Sequence, residues 1–521
     1  MPQSGPSDNG PLKKGLLTIA LFGLLAFPAR AGQPIAVVVV PLDDPFPTSG
    51  AVGLFVPGAG DSVSAESARA ALVRGKTRKS VLGGVAGGKP LISLSTRPAR
   101  TTIYVSLPPS GKRANTRRYP IAIVGPGYRG ILVSRSTRIR GLVSIADIAP
   151  TAKALERGDR PVIQARADAN SRAHLAELDR RLSRNHDVRL WETLILVIAV
   201  LGGAILAVLF RSEYLGRAGL LAAPSVLTAA LIMSAAEITR PHVVITSLPA
   251  IALGLAGLLA IPRGLLPWAL VGFLVGYLVV FVGWPEVASF SAISASPDGG
   301  GRFYGAGNLV ETVLLTVSLE AAALLGRRAI LPVLVLTLVT VGWSKAGADG
   351  GGIVVLLAAF AVLASRMYCV RWTWRRAGAA VVGGALLVVA LVGLDAASGG
   401  SSHVTHAFRR GPVSLAEDLA SRVHISVASL GASTTQAIVF AVSIAALIVL
   451  AIRWPRFPAG DALLTGIAVS LVVNDSPGAV ASAGALSYAV MFAYEQVRRP
   501  APDSRRVGNV GAHVPGFASR T

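Results

Sequence analysis

The segment from Leu190 to Tyr494 is a series of apolar runs, each long enough or nearly long enough to cross a lipid bilayer. The first run extends from Trp191 to Phe210 and carries one charged residue, Glu192. About 20 apolar residues in a helix span the ~30 Å hydrocarbon layer, where the backbone must satisfy its own hydrogen bonds. One such run could be a buried helix of a soluble protein. Eleven in series instead predict a multi-pass α-helical membrane protein.

The composition agrees with this class. Only 15% of the 521 residues are charged and 52% are hydrophobic, whereas soluble domains average about 25% charged residues. Spans six, seven and ten are the shortest, at about 12–15 residues, which is less than a full crossing. The predicted spans lie approximately at 190–210, 218–238, 243–261, 265–283, 309–325, 329–343, 352–365, 378–395, 437–452, 461–473 and 479–494.

Residues 1–31 have the three parts of a signal peptide. Lys13 and Lys14 form a positive n-region, a short apolar core follows, and an Ala-Arg-Ala sequence at 29–31 provides an A-x-A cleavage site. The alternative is an N-terminal anchor that is retained. Both interpretations predict that the residues which follow are translocated across the plasma membrane.

Residues 32–189 lack a spanning run and predict an extracytoplasmic domain. Their apolar runs alternate with a helical pattern, which predicts an α/β sheet. The first run, Ile35–Val40, is continuous and is closed by Pro41, as in a buried parallel strand. The other predicted elements are strands at Thr101–Leu107, Pro120–Val124 and Gly130–Ser134, and a helix at Ser144–Arg157 before Gly158.

This domain is strongly basic. It holds 25 Lys/Arg against 11 Asp/Glu, and so supplies +14 of the chain's formal charge of +23. The charge predicts attraction to the anionic headgroups of membrane lipids or to anionic wall polymers. Nucleic acid is not expected as a partner, because the compartment is wrong. A single cysteine, Cys369, excludes an internal disulfide framework and a cysteine-based metal site.

The distribution of Arg and Lys among the loops predicts the orientation of the chain. If residues 32–189 lie outside, the cytoplasmic loops hold eleven Arg, whereas the longer outer loops hold six Arg or Lys. We therefore predict a multi-pass protein of the plasma membrane with a cytoplasmic C-terminus. The tail, residues 495–521, mixes Pro, Gly, Ser and Arg without periodicity and is predicted to be a disordered basic segment.

Three polar loops are predicted on the outer face, between spans four and five, six and seven, and ten and eleven. Non-helical backbone at membrane depth is tolerated where it is buried in protein or lines a polar cavity. We therefore predict an outward-facing pocket, in which Arg holds a phosphate or carboxylate and the acids act as a general base or hold a divalent cation. The alternative is three tight turns between helices. The pocket candidates are Arg302, Tyr304, Asn308, Glu311, Asp349, Asn474 and Asp475.

Other ionisable residues stand apart from these loops. Glu320 lies within span five, where an acid has either a functional role or a structural hydrogen bond to a neighbouring helix. Glu237 and His242 lie near the outer ends of spans two and three. His403 and His406 have a spacing that can bind zinc, but no third ligand is evident, so no metal site is predicted. No catalytic residue is assigned, and no cofactor is expected beyond the divalent cation considered for the pocket.

Two stretches carry a family resemblance. Tyr128–Thr151 ends in Asp-Ile-Ala-Pro-Thr and resembles the C-terminal strand and helix of the alkaline phosphatase-like superfamily. Val37–Asp44 is similar to the first strand of that fold, whose end normally supplies an acidic metal ligand, here Asp43 or Asp44. With its membrane block, the chain resembles bacterial polytopic envelope proteins that join such a domain to a membrane module.

The chain lacks the residues that the chemistry of that superfamily requires. Two-metal chemistry needs a Ser, Thr or Cys nucleophile and several Asp or His ligands. Residues 32–189 are too few for the full fold, and the histidines His174 and His186 follow the sheet pattern. We therefore expect a truncated, metal-free domain without phosphatase activity. Four aspartates alone do not make two metal sites; they are Asp43, Asp44, Asp61 and Asp147.

These features favour a cell-envelope membrane protein that handles a phosphate-bearing lipid or a lipid-linked glycan, as a transferase or an accessory factor. One alternative is a transporter or flippase without chemistry, which short spans in the two halves would suit. Another is a scaffold that recruits envelope-synthesis partners through its basic domain.

Overall fold

The computed structural model describes residues 34–499, with gaps at 48, 61, 78–87, 296, 301, 371–372, 398–425, 428–429, 432–433, 454 and 475. The described residues form an N-terminal α/β domain followed by a bundle of apolar helices. Several of the residues and segments considered above lie outside the described residues: the predicted signal peptide, nearly all of the predicted tail, Asp61, His403, His406 and Asp475.

The α/β domain is built on a mixed sheet. Its described strands are β1 (Ile35–Val39), β2 (Ala51–Val56), β3 (Ser62–Val63), β4 (Thr101–Val105), β5 (Arg113–Ala114), β6 (Tyr119–Val124), β7 (Gly130–Ser134), β8 (Leu142–Ser144) and β9 (Ile163–Arg166). Seven of them form one sheet in the order β1-β4-β6-β2-β7-β9, with β8 also paired to β2, while β3 pairs with β5. The β1–β4, β2–β7 and β2–β8 pairs are parallel, and the others in this sheet are antiparallel.

Two helices, α1 (Ala65–Arg74) and α2 (Ile148–Arg157), cover one face of this sheet and share its hydrophobic core. Ser64 caps the first turn of α1 through its side chain. Gly75 and Gly158 end the two helices in the left-handed conformation, with φ of 61° and 75°. Glycine adopts this conformation without the steric cost of a Cβ atom, so the local sequence fixes where both helices stop.

Most of the predicted elements are present in the α/β domain. The four predicted strands correspond to β1, β4, β6 and β7, and the predicted helix is α2, preceded by a short 3-10 turn. β1 is parallel to its neighbour, as predicted, but it lies at the edge of the described sheet. The central strand β2 was missed. Its pattern is weakened by Gly53, yet the absent side chain lets Leu132 of β7 pack closely, since a Cβ there would lie 3.1 Å from that of Leu132.

Helices joined mostly by short loops make up the rest of the described chain. They are α3 (Ser171–Phe210), α4 (Glu213–Ala235), α5 (Pro241–Ala260), α6 (Leu266–Gly283), α7 (Pro285–Phe290), α8 (Asn308–Leu325), α9 (Ile330–Gly342), α10 (Gly350–Met367), α11 (Trp374–Ala397), α12 (Thr434–Arg453), α13 (Pro458–Val473) and α14 (Pro477–Arg498).

Seven of the described helices are long and apolar enough to cross a membrane: α3, α4, α5, α6, α8, α10 and α12. The chain therefore has the helices of a multi-pass membrane protein. α9 and α13 are shorter, with 13 and 16 residues, as predicted for spans six and ten. The prediction that span seven is short is wrong, because α10 has 18 residues. Its helix already begins within the glycine run, where Asp349 caps the first turn.

The helix α3 joins the domain to the bundle without a break, over 40 residues. Leu178 and Leu182 of its first half pack with Val56, Leu142 and Phe290 in a small core on the other face of the sheet. Its second half is the first predicted span. The sequence analysis placed the domain boundary at residue 189, which lies inside α3. No Gly or Pro interrupts the helix near that position, so the chain has no linker there.

α4 and α8 are the most enclosed of the seven spanning helices, with 72% of the most apolar window buried in each. α3 and α4 approach closely at Gly203 and Gly219, where a Cβ on Gly203 would lie 2.7 Å from the Cα of Gly219. Small residues allow such close helix crossings in membranes, where packing rather than the hydrophobic effect drives association. Because most of α8 is buried, this helix has neighbouring helices around it, and its polar residues face protein.

The α/β domain contacts one end of the bundle, which we call the domain-side end. The loop before α8 lies directly against the domain. Asn115 donates hydrogen bonds from Nδ2 to the carbonyls of Gly60 at 3.0 Å and Gly299 at 2.9 Å. Gly300 has φ of 64°, and its Cα faces the carbonyl of Gly58 so closely that a side chain would clash. The backbone of this loop is thus fixed by the domain above it.

Candidate functional site

Four of the predicted pocket residues, Arg302, Glu311, Asp349 and Asn474, meet at the domain-side end of the bundle. We call them the polar cluster. Arg302 lies in the loop before α8, Glu311 in the first turn of α8, Asp349 just before α10, and Asn474 just after α13. The three polar loops that the sequence singled out are therefore neighbours in space, because the helices that carry them start or stop at one end.

Asp349 connects the cluster to the start of α10. Its Oδ2 accepts a hydrogen bond from Arg302 Nη2 at 3.0 Å. Its Oδ1 accepts from the backbone N–H groups of Gly351 and Gly352 at 3.0 and 3.1 Å. All these donors are N–H groups, and the helix dipole adds a positive potential at this position. The side chain, only 3% exposed, is thus a well-satisfied carboxylate.

Arg302 lies between the cluster and solvent. Its Nη1 donates to the carbonyl of Ala306, while Nη2 is bound to Asp349. About a third of the side chain, 33%, remains exposed. Since protein groups engage both terminal nitrogens, an incoming anion would meet the exposed edge of the guanidinium rather than an empty fork.

Glu311 is the most deeply placed acid of the cluster and is 2% exposed. Its Oε2 accepts a hydrogen bond at 2.9 Å from Nδ2 of Asn474, which also donates to Ser470 Oγ at 2.7 Å. Its Oε1 is buried and has no hydrogen-bond partner among the described residues. A buried carboxylate oxygen without a partner is costly in a low-dielectric interior. This atom is the feature of the cluster that protein contacts leave unexplained.

Glycines make the close assembly of the cluster feasible. A Cβ on Gly351 would lie 2.7 Å from Asn474 Oδ1, and a Cβ on Gly352 would lie 3.3 Å from Glu311 Oε1. The glycine run at the start of α10 therefore lets its backbone approach both side chains. The neighbouring Ala348 has φ of 54°, an uncommon value for a residue with a side chain. Local strain of this kind is often found at functional sites.

The other pocket candidates have different surroundings. Tyr304 faces the α/β domain, where the guanidinium carbon of Arg138 lies 3.8 Å from the centre of its ring. Asn308 is the first residue of α8, and its carbonyl accepts a hydrogen bond from Thr312 Oγ1 at 2.8 Å. Asp475 lies outside the described residues. Tyr304 thus belongs to the contact between domain and bundle, and Asn308 to the helix start.

Asp298 fixes the loop before α8 to α3. Its Oδ1 accepts from Arg189 Nη2 at 2.7 Å, and its Oδ2 lies 2.9 Å from His186 Nδ1. Burial by itself would raise the pKa of this carboxyl. The charge of Arg189 and the hydrogen bonds from Arg189 and His186 outweigh burial and hold the pKa below its ordinary value. Asp298 is therefore a structural anion that positions the loop carrying Arg302.

A basic patch lies beside the polar cluster, where the domain meets the bundle. Arg138 donates from Nη2 to the carbonyl of Ser344 at 2.6 Å and from Nη1 to that of Lys345 at 3.1 Å. Lys345 is exposed, and its ammonium lies 5.8 Å from the ring of Trp343. In the described part of the chain, neither Arg138 nor Lys345 forms an ion pair with an acid. We call Arg138, Lys345 and the exposed edge of Arg302 the basic patch.

An apolar cavity of about 50 Å³ lies inside the bundle between α3, α4, α6, α8 and α14. Its walls include Leu196, Leu220, Leu270, Leu309 and Val313. Leu309 and Val313 lie on one face of α8, whereas Glu311, two residues from each, points to the opposite face. The cavity therefore does not contain the polar cluster, although it reaches the same domain-side turn of α8.

Two further acids are buried in membrane helices. Glu320 is 1% and Glu192 is 4% exposed, and each has one carboxylate oxygen without a hydrogen-bond partner among the described residues. Glu237 instead forms an ion pair with Arg181 at 3.1 Å, which ties α3 to the end of α4. The structure thus gives Glu237 a structural contact, and it leaves a role for Glu320 open to test.

The acids of the α/β domain do not converge on one place. Asp43 and Asp44 are exposed in the turn after β1. Asp147 is buried, and its Oδ2 accepts hydrogen bonds from the hydroxyls of Ser134 and Ser136. Among the described residues, no group of three or more His, Cys, Asp or Glu side chains is placed to hold a metal ion. The contacts of Asp147 are those of a structural acid that stabilises the turn before α2.

Sequence reasoning assigned no role to three of these residues. Arg138 was not singled out, because its importance depends on a contact with loops about 200 residues away along the chain. Ser470 lies four residues before Asn474 on α13, so a polar pair at i, i+4 could have indicated it. Glu192 was detectable as a lone acid in the first apolar run.

Comparisons of the chain with models of protein families, with curated proteins and with solved structures find no match.

Proposed function

We propose that this protein is an integral membrane protein of the cell envelope that binds a phosphate-bearing lipid or lipid-linked glycan where the α/β domain meets the bundle. The phosphate would bind at the basic patch, and the hydrocarbon chain would lie against the apolar helices that line the cavity. The observation that carries the proposal is the basic patch. It places Arg138 and Lys345 beside the exposed edge of Arg302, and the two residues have no acidic partner in the described part of the chain.

Charge and position support a headgroup at this place. Arg presents a planar set of donors that matches phosphate oxygens, and charge-assisted hydrogen bonds are about twice as strong as neutral ones. The α/β domain adds a formal charge of +14 on the same side of the site, which would raise the local concentration of anionic ligands. The domain would thus attract and hold the ligand and would take no part in catalysis.

The apolar cavity supports a lipid rather than a soluble phosphate. It lies among membrane helices, its walls are predominantly Leu, Val and Ala, and it extends to the first turns of α8. In this proposal the chain crosses the membrane eleven times, through α3–α6 and α8–α14, with the α/β domain outside and the C-terminus in the cytoplasm. The excess of Arg in the loops at the opposite end supports that orientation.

The test is lipid retention by the purified full-length protein, measured by native mass spectrometry. After delipidation, the protein is offered phosphatidic acid or diacylglycerol with the same acyl chains. We expect retention of phosphatidic acid, several-fold weaker binding by Lys345→Glu, and unchanged binding by Arg160→Glu, an exposed residue of the α/β domain. Equal retention of both lipids, or no effect of Lys345→Glu, would refute the proposal. Competition by inorganic phosphate alone would point to a soluble anion.

A second candidate, a transporter or flippase for such ligands, is favoured by one observation. The central helix α8 carries two buried carboxylates, Glu311 and Glu320, each with one oxygen that accepts no hydrogen bond from the described part of the chain. Ionisable residues inside membrane helices are costly and commonly mark ion or proton pathways. Transfer of a fluorescent phospholipid across reconstituted vesicles would distinguish transport from binding, since binding alone leaves the transverse distribution of lipid unchanged.

A further inference from the structure

We infer that Glu311 is an exchangeable cation site, at which the free Oε1 oxygen takes up one positive charge, delivered either as a proton or as a monovalent metal ion. This inference goes beyond lipid binding, and its test does not depend on whether a lipid binds at the basic patch.

The first step is the charge of the polar cluster. Two carboxylates, Glu311 and Asp349, share one guanidinium, that of Arg302. With both acids ionised the cluster would carry a net charge of −1, and Glu311 and Asp349 are only 2% exposed. An uncompensated charge at such depth is strongly unfavourable, and the residues that the structure describes place no second cation on the cluster.

The second step assigns that charge to Glu311. Asp349 already has its ion pair and two backbone donors. Glu311 receives one amide hydrogen bond on Oε2, while Oε1 is buried and has no partner among the residues that the structure describes. The free oxygen lies where Gly352 has no side chain, 3.3 Å from the position of its absent Cβ. The glycine therefore leaves space next to the one oxygen that needs a partner.

The third step concerns the kind of cation. The ligand atom available at this position is the carboxylate oxygen Oε1 of Glu311 itself, because Asn474 turns its amide nitrogen toward Oε2 and Ser470. Oxygen ligands suit a proton or a hard metal ion. A net charge of −1 balances one monovalent cation, and the described residues provide no third acid close enough to hold a divalent ion. The cluster therefore matches a single positive charge.

The charged groups near Glu311 would link cation binding at Oε1 to the positions of the loops that carry Arg302 and Asp349. The charged groups that act on it are Asp349, at the start of α10, and Arg302, before α8. α13 contributes Ser470, and Asn474 directly follows that helix, while α6 and α14, which also pack on α8, carry the buried phenols Tyr277 and Tyr488. A cation on Oε1 would relieve repulsion between the two carboxylates. Its loss would draw Arg302 toward Glu311, in competition with Asp349.

The test uses the purified full-length protein and has a metal arm and a proton arm. In the metal arm, the unfolding temperature is measured in sodium chloride and in choline chloride of equal ionic strength. In the proton arm, infrared difference spectra between acidic and alkaline buffer report protonated carboxyl groups. We expect wild type to show a sodium-dependent upward shift in the first arm or a titrating carboxyl band in the second, and Glu311→Gln to lose that signal.

Two further variants keep the result interpretable. Glu320→Gln removes another buried acid of α8, nine residues from Glu311, and it should retain the signal that Glu311→Gln loses. Glu311→Asp keeps a carboxylate but shortens it, so the signal should weaken and shift without vanishing. The inference is overturned if Glu311→Gln behaves as wild type in both arms. It is also overturned if Glu320→Gln abolishes the same signal, because the response would then be a general property of buried acids.

Discussion

Asp147 in the α/β domain and Glu311 in the bundle are both buried acids, at 8% and 2% exposure, yet their surroundings differ. Asp147 Oδ2 accepts from Ser134 Oγ at 2.8 Å, from Ser136 Oγ, and from the backbone N–H of Ser144 at 3.3 Å. Glu311 accepts one amide hydrogen bond and leaves Oε1 without a partner among the described residues. One acid is surrounded by donors, and the other is not.

The difference separates a structural acid from a candidate functional one. The described donors to Asp147 belong to Ser134, Ser136 and Ser144, so the short segment that needs the acid also supplies hydrogen bonds to it. The hydrogen-bond partner of Glu311 among the described residues, Asn474, follows α13 and is 163 positions away along the chain, and it still leaves Oε1 without a donor. Burial alone, which the two residues share, does not identify a site; an unmet hydrogen-bonding capacity does.

The largest expected effect is that of Asp147→Ala. It removes the acceptor for two hydroxyls and one backbone N–H, and unsatisfied buried donors cost about 1–3 kcal/mol each. We expect the free energy of unfolding of the α/β domain to fall by about 3 kcal/mol, measured as resistance to proteolysis in urea. Asp159→Ala, at an exposed site beyond α2, should change it by less than about 0.5 kcal/mol.

Glu311→Gln should behave oppositely, with stability within about 1 kcal/mol of wild type, because the amide still accepts from Asn474 and no charge is buried. A loss as large as that of Asp147→Ala would break the comparison and make Glu311 a structural acid as well.

Arg302→Ala tests whether the cluster depends on its only cation. Removing one partner of a buried ion pair costs about 3–5 kcal/mol. Arg302 is 33% exposed, so we expect a smaller loss, about 2 kcal/mol, in thermal unfolding of the detergent-purified protein. Adding Asp349→Asn should restore most of it, because Asn still caps α10 and the lone charge is gone. A double variant that is less stable than Arg302→Ala would contradict this account.

The sequence allowed the residues of the polar cluster to be selected, but it did not show which contacts each of them makes. Arg302, Asp349 and Asn474 stand next to glycine turns at the ends of apolar runs, and such positions can be recognised without a structure. The ion pair of Arg302 with Asp349 depends on how α8 and α10 pack, which residue spacing does not specify. The same holds for β2, whose central place follows from its contact with Leu132 across the sheet.

The length of α3 shows a second limit. The sequence indicated a boundary where hydropathy changes, at residue 189, whereas the backbone continues as one helix from Ser171 to Phe210. Hydropathy reports the solvent around a helix and carries no information about where the helix begins.

Asp298 is a third buried acid, and both of its carboxylate oxygens have partners, in Arg189 and His186. The stability that these contacts provide should therefore depend on pH. The pKa of Asp298 is held below the ordinary value of 3.8, so its stabilising effect is present above that value and is lost as pH falls through the lower, folded-state pKa. Wild type should unfold at a higher temperature than Asp298→Asn near neutral pH, and the difference should shrink below about pH 4. A difference that grows on acidification would contradict the assignment.

The smallest effect concerns strain beside the cluster. Ala348 has φ of 54°, a conformation that costs an alanine about 1–2 kcal/mol. Glycine removes that cost, but it loses about 0.5–1 kcal/mol through the entropy of the unfolded chain. Ala348→Gly should therefore raise the unfolding temperature slightly, by less than about 1 kcal/mol in free energy. Ala346→Gly, two residues earlier and without a positive φ, should lower it. Equal destabilisation by both would mean that the loop carries no strain, and Glu311 would then be distinguished from Asp147 only by its free oxygen.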